Sequence, residues 1–197
     1  MSTSAELPFG RFDEAWTAVE RPELLAPPVA AALQEWADAE PGVPVRSVRL
    51  VDTDPERADT AAFCAAYDVP AEVSANCVVV AAKRGGRTAL AAGVVLATTR
   101  LDVNRAVRRH LDARKASFAP VELTVAETGM EYGGITPIGL PDGWPLLIDA
   151  AVADTPYVLI GSGRRRAKLI LPGAVLAQLP GAQVLSDLAV PAPPAED

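Results

Sequence analysis

Apolar positions along the chain change their period several times, and each change marks an element. Residues 12–20 and 28–39 have helical spacing: Trp16 and Val19 form one stripe, and Val29, Leu33 and Trp36 form another. Pro22, Pro27 and Pro28 separate the two, so residues 1–42 are expected to form an N-terminal helical extension packed on a main domain. Val45 to Val51 alternates apolar and basic residues, as a first strand does. Asp54-Pro55 suits a helix entry, because Asp can cap and Pro fits the first turn. That helix should reach Tyr67 and stop before Asp68-Val69-Pro70. Cys77 to Ala82 and Thr88 to Thr98 read as strands joined by the hairpin turn Lys83-Arg84-Gly85-Gly86-Arg87. Asp102 caps a predicted helix to Leu111, Lys115 to Phe118 is extended, and Val121 to Thr128 is a helix ended by Gly129. Strands follow near 145–149, 156–161 and 167–171, then a helix from Pro172 to Leu179 and an edge strand at Ala182 to Leu185. Strands and helices mix without strict alternation. That predicts a mixed α+β domain over residues 43–190, a mostly antiparallel mixed sheet flanked by helices, rather than a doubly wound α/β fold. Residues 191–197, rich in Pro and Ala, are expected to be a disordered tail.

Composition narrows the partners. The 197 residues suffice for one domain with an extension, and half of them are hydrophobic, enough for a core. The net charge of −7 argues against a general DNA or membrane-surface binder. It leaves room for a local basic patch that holds one nucleic-acid end. Cys64 and Cys77 form no CxxC pair, which fits a reduced, cytoplasmic setting. The first seven residues lack the pattern of a signal peptide, and no apolar run reaches membrane-spanning length.

The candidate chemistry lies between Glu131 and Lys168. Three clusters of Gly, Ser, Thr, Pro and Asp sit there at the ends of short apolar runs: Gly133-Gly134-Ile135-Thr136-Pro137, Leu146-Leu147-Ile148-Asp149 and Gly161-Ser162-Gly163. Glycine lets a ligand lie against bare backbone, so peptide groups at these strand ends are themselves a candidate binding site. The residue types elsewhere in the chain exclude several common kinds of active site. The single histidine, His110, stands among arginines and reads as an exposed helical residue. No GxSxG elbow, phosphate-binding GxxxxGK[ST] loop or calcium loop occurs. No metal and no cofactor is therefore expected, and chemistry would rest on positioning and backbone dipoles. Cys77 opens an apolar run and reads as core. Arg164, Arg165, Arg166 and Lys168 beside the candidate pocket either form a solvated hairpin edge or receive a nucleic-acid end. Arg105, Arg108, Arg109, Arg114 and Lys115 read as an exposed helix face.

The block from Tyr132 to Leu171 resembles the YbaK/prolyl-tRNA-editing family of aminoacyl-tRNA deacylases. The resemblance rests on the GxxxP loop at Gly133 to Pro137, on the apolar strand ending in Asp149, and on the Gly161-Ser162-Gly163 turn before a basic pair. It extends more weakly over residues 45–187. It implies a barrel-like sheet and an enzyme that hydrolyses the ester of a mischarged tRNA, with an aminoacyl-tRNA acceptor end as partner. Gly133, Gly134 and Ile135 would line the aminoacyl pocket with their peptide groups, with Thr136 beside them and Pro137 locking the loop. Gly161, Ser162 and Gly163 would form the opposite wall, and Asp149 would hold the loops or bind substrate. Arg164, Arg165 and Lys168 would meet the tRNA. Where the family carries a lysine that anchors the tRNA end, this chain has Asn76, which can donate a hydrogen bond but brings no charge. Three outcomes stay open: the specificity has moved, another basic group compensates, or catalysis is lost. Two other readings follow from that, a catalytically silent module that binds a tRNA end and a domain whose N-terminal helices dock a partner such as a synthetase.

Overall fold

The computed structural model describes residues 7–39 and 44–192. Residues 1–6, 40–43 and 193–197 lie outside the described part. So do the expected boundary near residue 42 and most of the expected tail.

The strands form two principal sheets. One has the order β1 (Ala15–Thr17), β2 (Arg49–Asp52), β9 (Ala167–Leu171), β8 (Val158–Gly161), antiparallel throughout. The other has the order β10 (Ala182–Leu185), β7 (Leu146–Asp149), β4 (Arg87–Leu96), β3 (Ala75–Arg84), β6 (Lys115–Phe118). Its β10–β7 and β7–β4 pairs are parallel and the rest antiparallel. A small pair joins β5 (Thr99–Leu101) to β11 (Ala189–Pro191). The helices are α1 (Pro27–Ala39), α2 (Thr60–Tyr67), α3 (Arg108–His110), α4 (Val121–Thr128), α5 (Ala150–Asp154) and α6 (Gly173–Leu176). None among the described residues is long and apolar enough to cross a membrane.

The period-two alternation of the strands decides which layer each side chain joins. Leu169 and Leu171 on β9, Val158 and Ile160 on β8, Val94 on β4 and Ile148 on β7 share one core with Val29 and Leu33 of α1. Ile170, Leu159 and Val51 point the other way, onto Phe63 of α2. Leu147, Val80 and Val95 face a third cluster with Val107 and Leu188. Strands buried on both faces read as continuous apolar runs, which is why Leu146-Leu147-Ile148 and Leu169-Ile170-Leu171 show no alternation.

The mixed α+β architecture is as expected, but the barrel-like closure is not found. One isolated bridge, Ser74 to Leu159, joins the two sheets. From Ala75 onward β3 leaves β8 to pair with β4 and β6, so the hydrogen-bonded ring never closes. The helix expected over residues 12–20 is also absent. Ala15–Thr17 pairs with Arg49–Val51, and that edge position overrides the helical spacing of Trp16 and Val19. The first strand expected at Val45 to Val51 begins later, because Pro44–Ser47 forms a 3-10 turn.

Other local signals hold. Asp54 accepts from the Glu56 amide at 3.0 Å and caps a 3-10 turn ahead of α2. Asp68 ends α2 in the left-handed region at φ 53°, and Gly129 ends α4 at φ 65°. Asp102 accepts from the Arg105 amide at 3.1 Å, although the turn it opens, Val103–Val107, is π-helical before α3.

Candidate active-site cleft

Where the two sheets part, past the Ser74–Leu159 bridge, a cleft of about 340 Å³ opens. Its walls come from four places. Asp59, Thr60 and Phe63 belong to the start of α2, and Asn76, Cys77 and Val78 to the start of β3. Tyr132, Gly133 and Ile135 come from the glycine loop, and Ile160, Gly161 and Lys168 from β8 and β9.

The glycine loop and the Gly-Ser-Gly turn are two bare backbones fastened together. The Gly163 amide donates to the Gly134 carbonyl at 2.7 Å, and the Glu131 amide to the Gly163 carbonyl at 2.8 Å. A Cβ on Gly161 would strike the carbonyl oxygens of Gly134 and Ile135, and one on Gly134 would meet the Arg164 backbone at 2.6 Å. The glycines here serve close approach between chains. Gly133 differs: its φ of 87° is a conformation that suits glycine, and it presents its carbonyl to the cleft. The amides of Gly133 and Ile135 make no hydrogen bond among the described residues, so both remain available as donors.

The polar groups of the cleft come from distant parts of the chain. Lys168 is 7 % exposed, its Nζ 3.3 Å from the Gly133 carbonyl oxygen and 5.4 Å from the centre of the Phe63 ring. Burial lowers its pKa to about 8, and the Arg165 charge adds to the shift against the opposing pull of Asp59. Among the described residues Lys168 has no ion-pair partner. Across from it, Asn76 accepts a hydrogen bond from the Thr60 hydroxyl at 3.1 Å through Oδ1, which leaves its amide NH₂ as a donor. The uncharged Asn76 and the ammonium of Lys168 thus line the same cleft from different strands. The Cys77 thiol is pushed up to about 12 by burial, which removes it as a nucleophile near neutral pH.

The expected site residues divide into two groups. Asn76, Gly133, Ile135, Gly161 and Lys168 line the cleft. Gly134, Ser162 and Gly163 build the turn behind it, and the Ser162 hydroxyl is bonded to the Arg164 amide and carbonyl. Thr136 is fully buried with its Oγ1 unpartnered, and Pro137 lines a separate cleft with Trp36 and Trp144. Asp149 accepts from the Ala151 amide through Oδ1 and from the Ala189 amide through Oδ2, both at 3.0 Å, so it ties α5 and β11 together. Arg164 donates to the Leu25 carbonyl at 2.7 Å. Arg165 donates to the Pro55 and Tyr132 carbonyls and would sit 2.6 Å from a Cβ on Gly133. Arg166 forms a bidentate pair with Asp52. Asp59, Thr60 and Phe63 were not singled out from the sequence; they stand at the start of α2, far along the chain from the glycine loop, and no local motif marks them. No group of three His, Cys, Asp or Glu side chains among the described residues is placed to hold a metal ion.

This arrangement has counterparts in known proteins. A sequence profile described as "Aminoacyl-tRNA editing domain" matches residues 54–179, which include every lining residue of the cleft. None of the curated proteins matches the sequence. A solved structure described as "hypothetical protein APE2540" superposes with TM-score 0.68 at 22% identity, over 81% of this chain and 99% of that one. Another, from work on epitope backbone grafting onto scaffold proteins, gives TM-score 0.67 at 21% identity, over 81% and 94%. A third, described as "a putative trans-editing enzyme for prolyl tRNA synthetase", gives 0.65 at 20% identity, over 82% and 96%. At such identities the superpositions speak for the fold, and the profile match speaks for the family: the chain belongs to the aminoacyl-tRNA editing domain family.

Proposed function

We propose that this protein is a trans-acting aminoacyl-tRNA deacylase that hydrolyses the ester of a mischarged tRNA in the cleft between α2 and the glycine loop. The reading is carried by one observation, a buried ammonium without a carboxylate partner among the described residues, Lys168, at the point where Gly133 and Gly161 present bare backbone. Water attacks the ester carbonyl carbon, the bond from that carbon to the ribose oxygen breaks, and the ribose oxygen takes the proton. Negative charge develops on the former carbonyl oxygen. The amides of Gly133 and Ile135 and the Asn76 NH₂ are the donors available to receive it. The substrate's own neighbouring hydroxyl assists the water, since the cleft holds no histidine. No metal or covalent intermediate is invoked. Lys168, with Arg165 near the loop, supplies the positive charge for the terminal phosphate that the strand position of Asn76 lacks.

The test is ester loss from a panel of correctly and incorrectly charged tRNAs, with wild type, Lys168→Met and Asn76→Ala. Selective loss that falls at least tenfold in both variants supports the reading. Loss from no member of the panel, with tRNA-end binding retained, favours the silent binding module instead, a reading that the neutral Asn76 motivates.

A further inference from the structure

The cleft holds one negative charge, and neither the catalytic geometry nor the fold uses it. Asp59 is the only carboxylate among the lining residues. It occupies the N-cap position of α2, yet its side chain makes no capping hydrogen bond; only its backbone carbonyl is engaged, by the Phe63 amide at 2.8 Å. It joins no ion pair among the described residues, whereas Asp54 on the same segment both caps and pairs with Arg57. It lines the same cleft as the buried ammonium of Lys168 without forming an ion pair with it, so the cleft presents separated charges of opposite sign. Such a pair matches a ligand that carries a cation and an electron-rich acceptor a few atoms apart.

An aminoacyl ester has that pattern. Its α-ammonium is bonded to the carbon beside the ester carbonyl, and the ribose phosphates lie on the far side. With Lys168 and Arg165 as the cations near the loop, an α-ammonium at that end would be repelled, and Asp59 is the one carboxylate among the described lining residues that can hold it. We infer that Asp59 is the specificity residue that reads the free α-ammonium of the aminoacyl group, which directs the cleft to unblocked aminoacyl ends and away from N-acylated or peptidyl ones. This rests on the aminoacyl-tRNA reading above and names a residue that lies outside the glycine-loop motifs. Because the Asp59 side chain makes no capping hydrogen bond and no ion pair among the described residues, its replacement by Asn should leave the fold intact.

The test is binding, so that it does not depend on turnover. The probes are 3′-aminoacylamino-3′-deoxyadenosines carrying glycyl, alanyl, seryl or prolyl groups, each with a free and an N-acetylated amine, titrated by calorimetry into wild type and Asp59→Asn. The expected result is that N-acetylation weakens wild-type binding about tenfold, the scale of one charge-assisted hydrogen bond. Asp59→Asn should weaken the free-amine probes by a similar factor and bind the acetylated probes as wild type does, which also shows that the variant is folded. Equal wild-type affinity for free and acetylated probes, or a preference that survives in Asp59→Asn, overturns the role of Asp59 while leaving the pocket assignment standing. Failure of every probe to bind wild type overturns the aminoacyl-adenosine reading and the inference with it.

Discussion

Lys168 sits on a strand whose other four residues are apolar and buried, and its ammonium goes with them. In the unfolded chain this amine has an ordinary pKa of 10.5; in the fold it is about 8. The native state therefore binds fewer protons between those values, and the buried charge destabilises the fold most below pH 8. The penalty is relieved as pH rises from about 8 to 10.5. Its size is on the order of 3 kcal/mol at neutral pH. Lys168→Met should accordingly unfold at higher denaturant than wild type at pH 7, and the gap should close by pH 11; chemical denaturation at both pH values checks it. The same variant should lose deacylation, so stability and activity move in opposite directions. Wild-type affinity for tRNA ends should also fall as pH rises through 8, because the cation is then lost. Little of this was legible in the sequence. A lysine inside Ala167 to Leu171 stands out against the apolar run, but its neighbours Arg164 to Arg166 made it look like the end of a solvated basic edge. Alternation decides otherwise: Lys168 shares the Phe63 face with Ile170, and that face is closed by α2.

At the scale of elements, the glycine loop and the Gly-Ser-Gly turn depend on the N-terminal segment as much as on each other. Arg164 is held by the Leu25 carbonyl, the Ala26 amide donates to the Ser162 carbonyl at 3.2 Å, and a Cβ on Gly163 would collide with Ala26 and Val29. Removing residues 1–39 should therefore abolish deacylation and lower the melting temperature, not merely detach a docking surface; thermal melts and the ester assay on the truncated chain test both. Gly161→Ala should destabilise by about 2 kcal/mol or more, since its Cβ has only backbone carbonyls to displace. Circular dichroism melts would register that as a fall of about 4 °C or more. Helices with their own end signals were readable: α1 after its prolines and α4 between Pro120 and Gly129. β1, β5 and β11 were not, because strands of three residues carry too few positions to show a period and owe their form to the partner strand.

For the whole molecule, the acidic composition and the proposed binding of a tRNA end are reconciled by locality. The chain carries −7 overall, yet several of its arginines are neutralised one by one, Arg166 by Asp52, Arg84 by Asp112 and Arg109 by Asp187. Among the described residues, Lys168 and the Arg165 guanidinium remain near the cleft without carboxylate partners. Two cations should give a shallow salt dependence, with log affinity for a single-stranded CCA end falling with log salt at a slope of about 1.4 in magnitude, twice the value of about 0.7 per phosphate. A titration series in potassium chloride measures it, and a slope several times steeper would place the contact surface elsewhere. The sequence by itself determined the family and the mixed α+β class and pointed to the glycine backbones that line the candidate cleft, because glycine spacing and strand-length apolar runs are local and survive in one dimension. The tertiary structure alone decided that the sheets stay open and that Asn76, Lys168 and Asp59 line one cleft. Those facts arise from packing distant segments together, and no local period records which side chains will meet across a cleft.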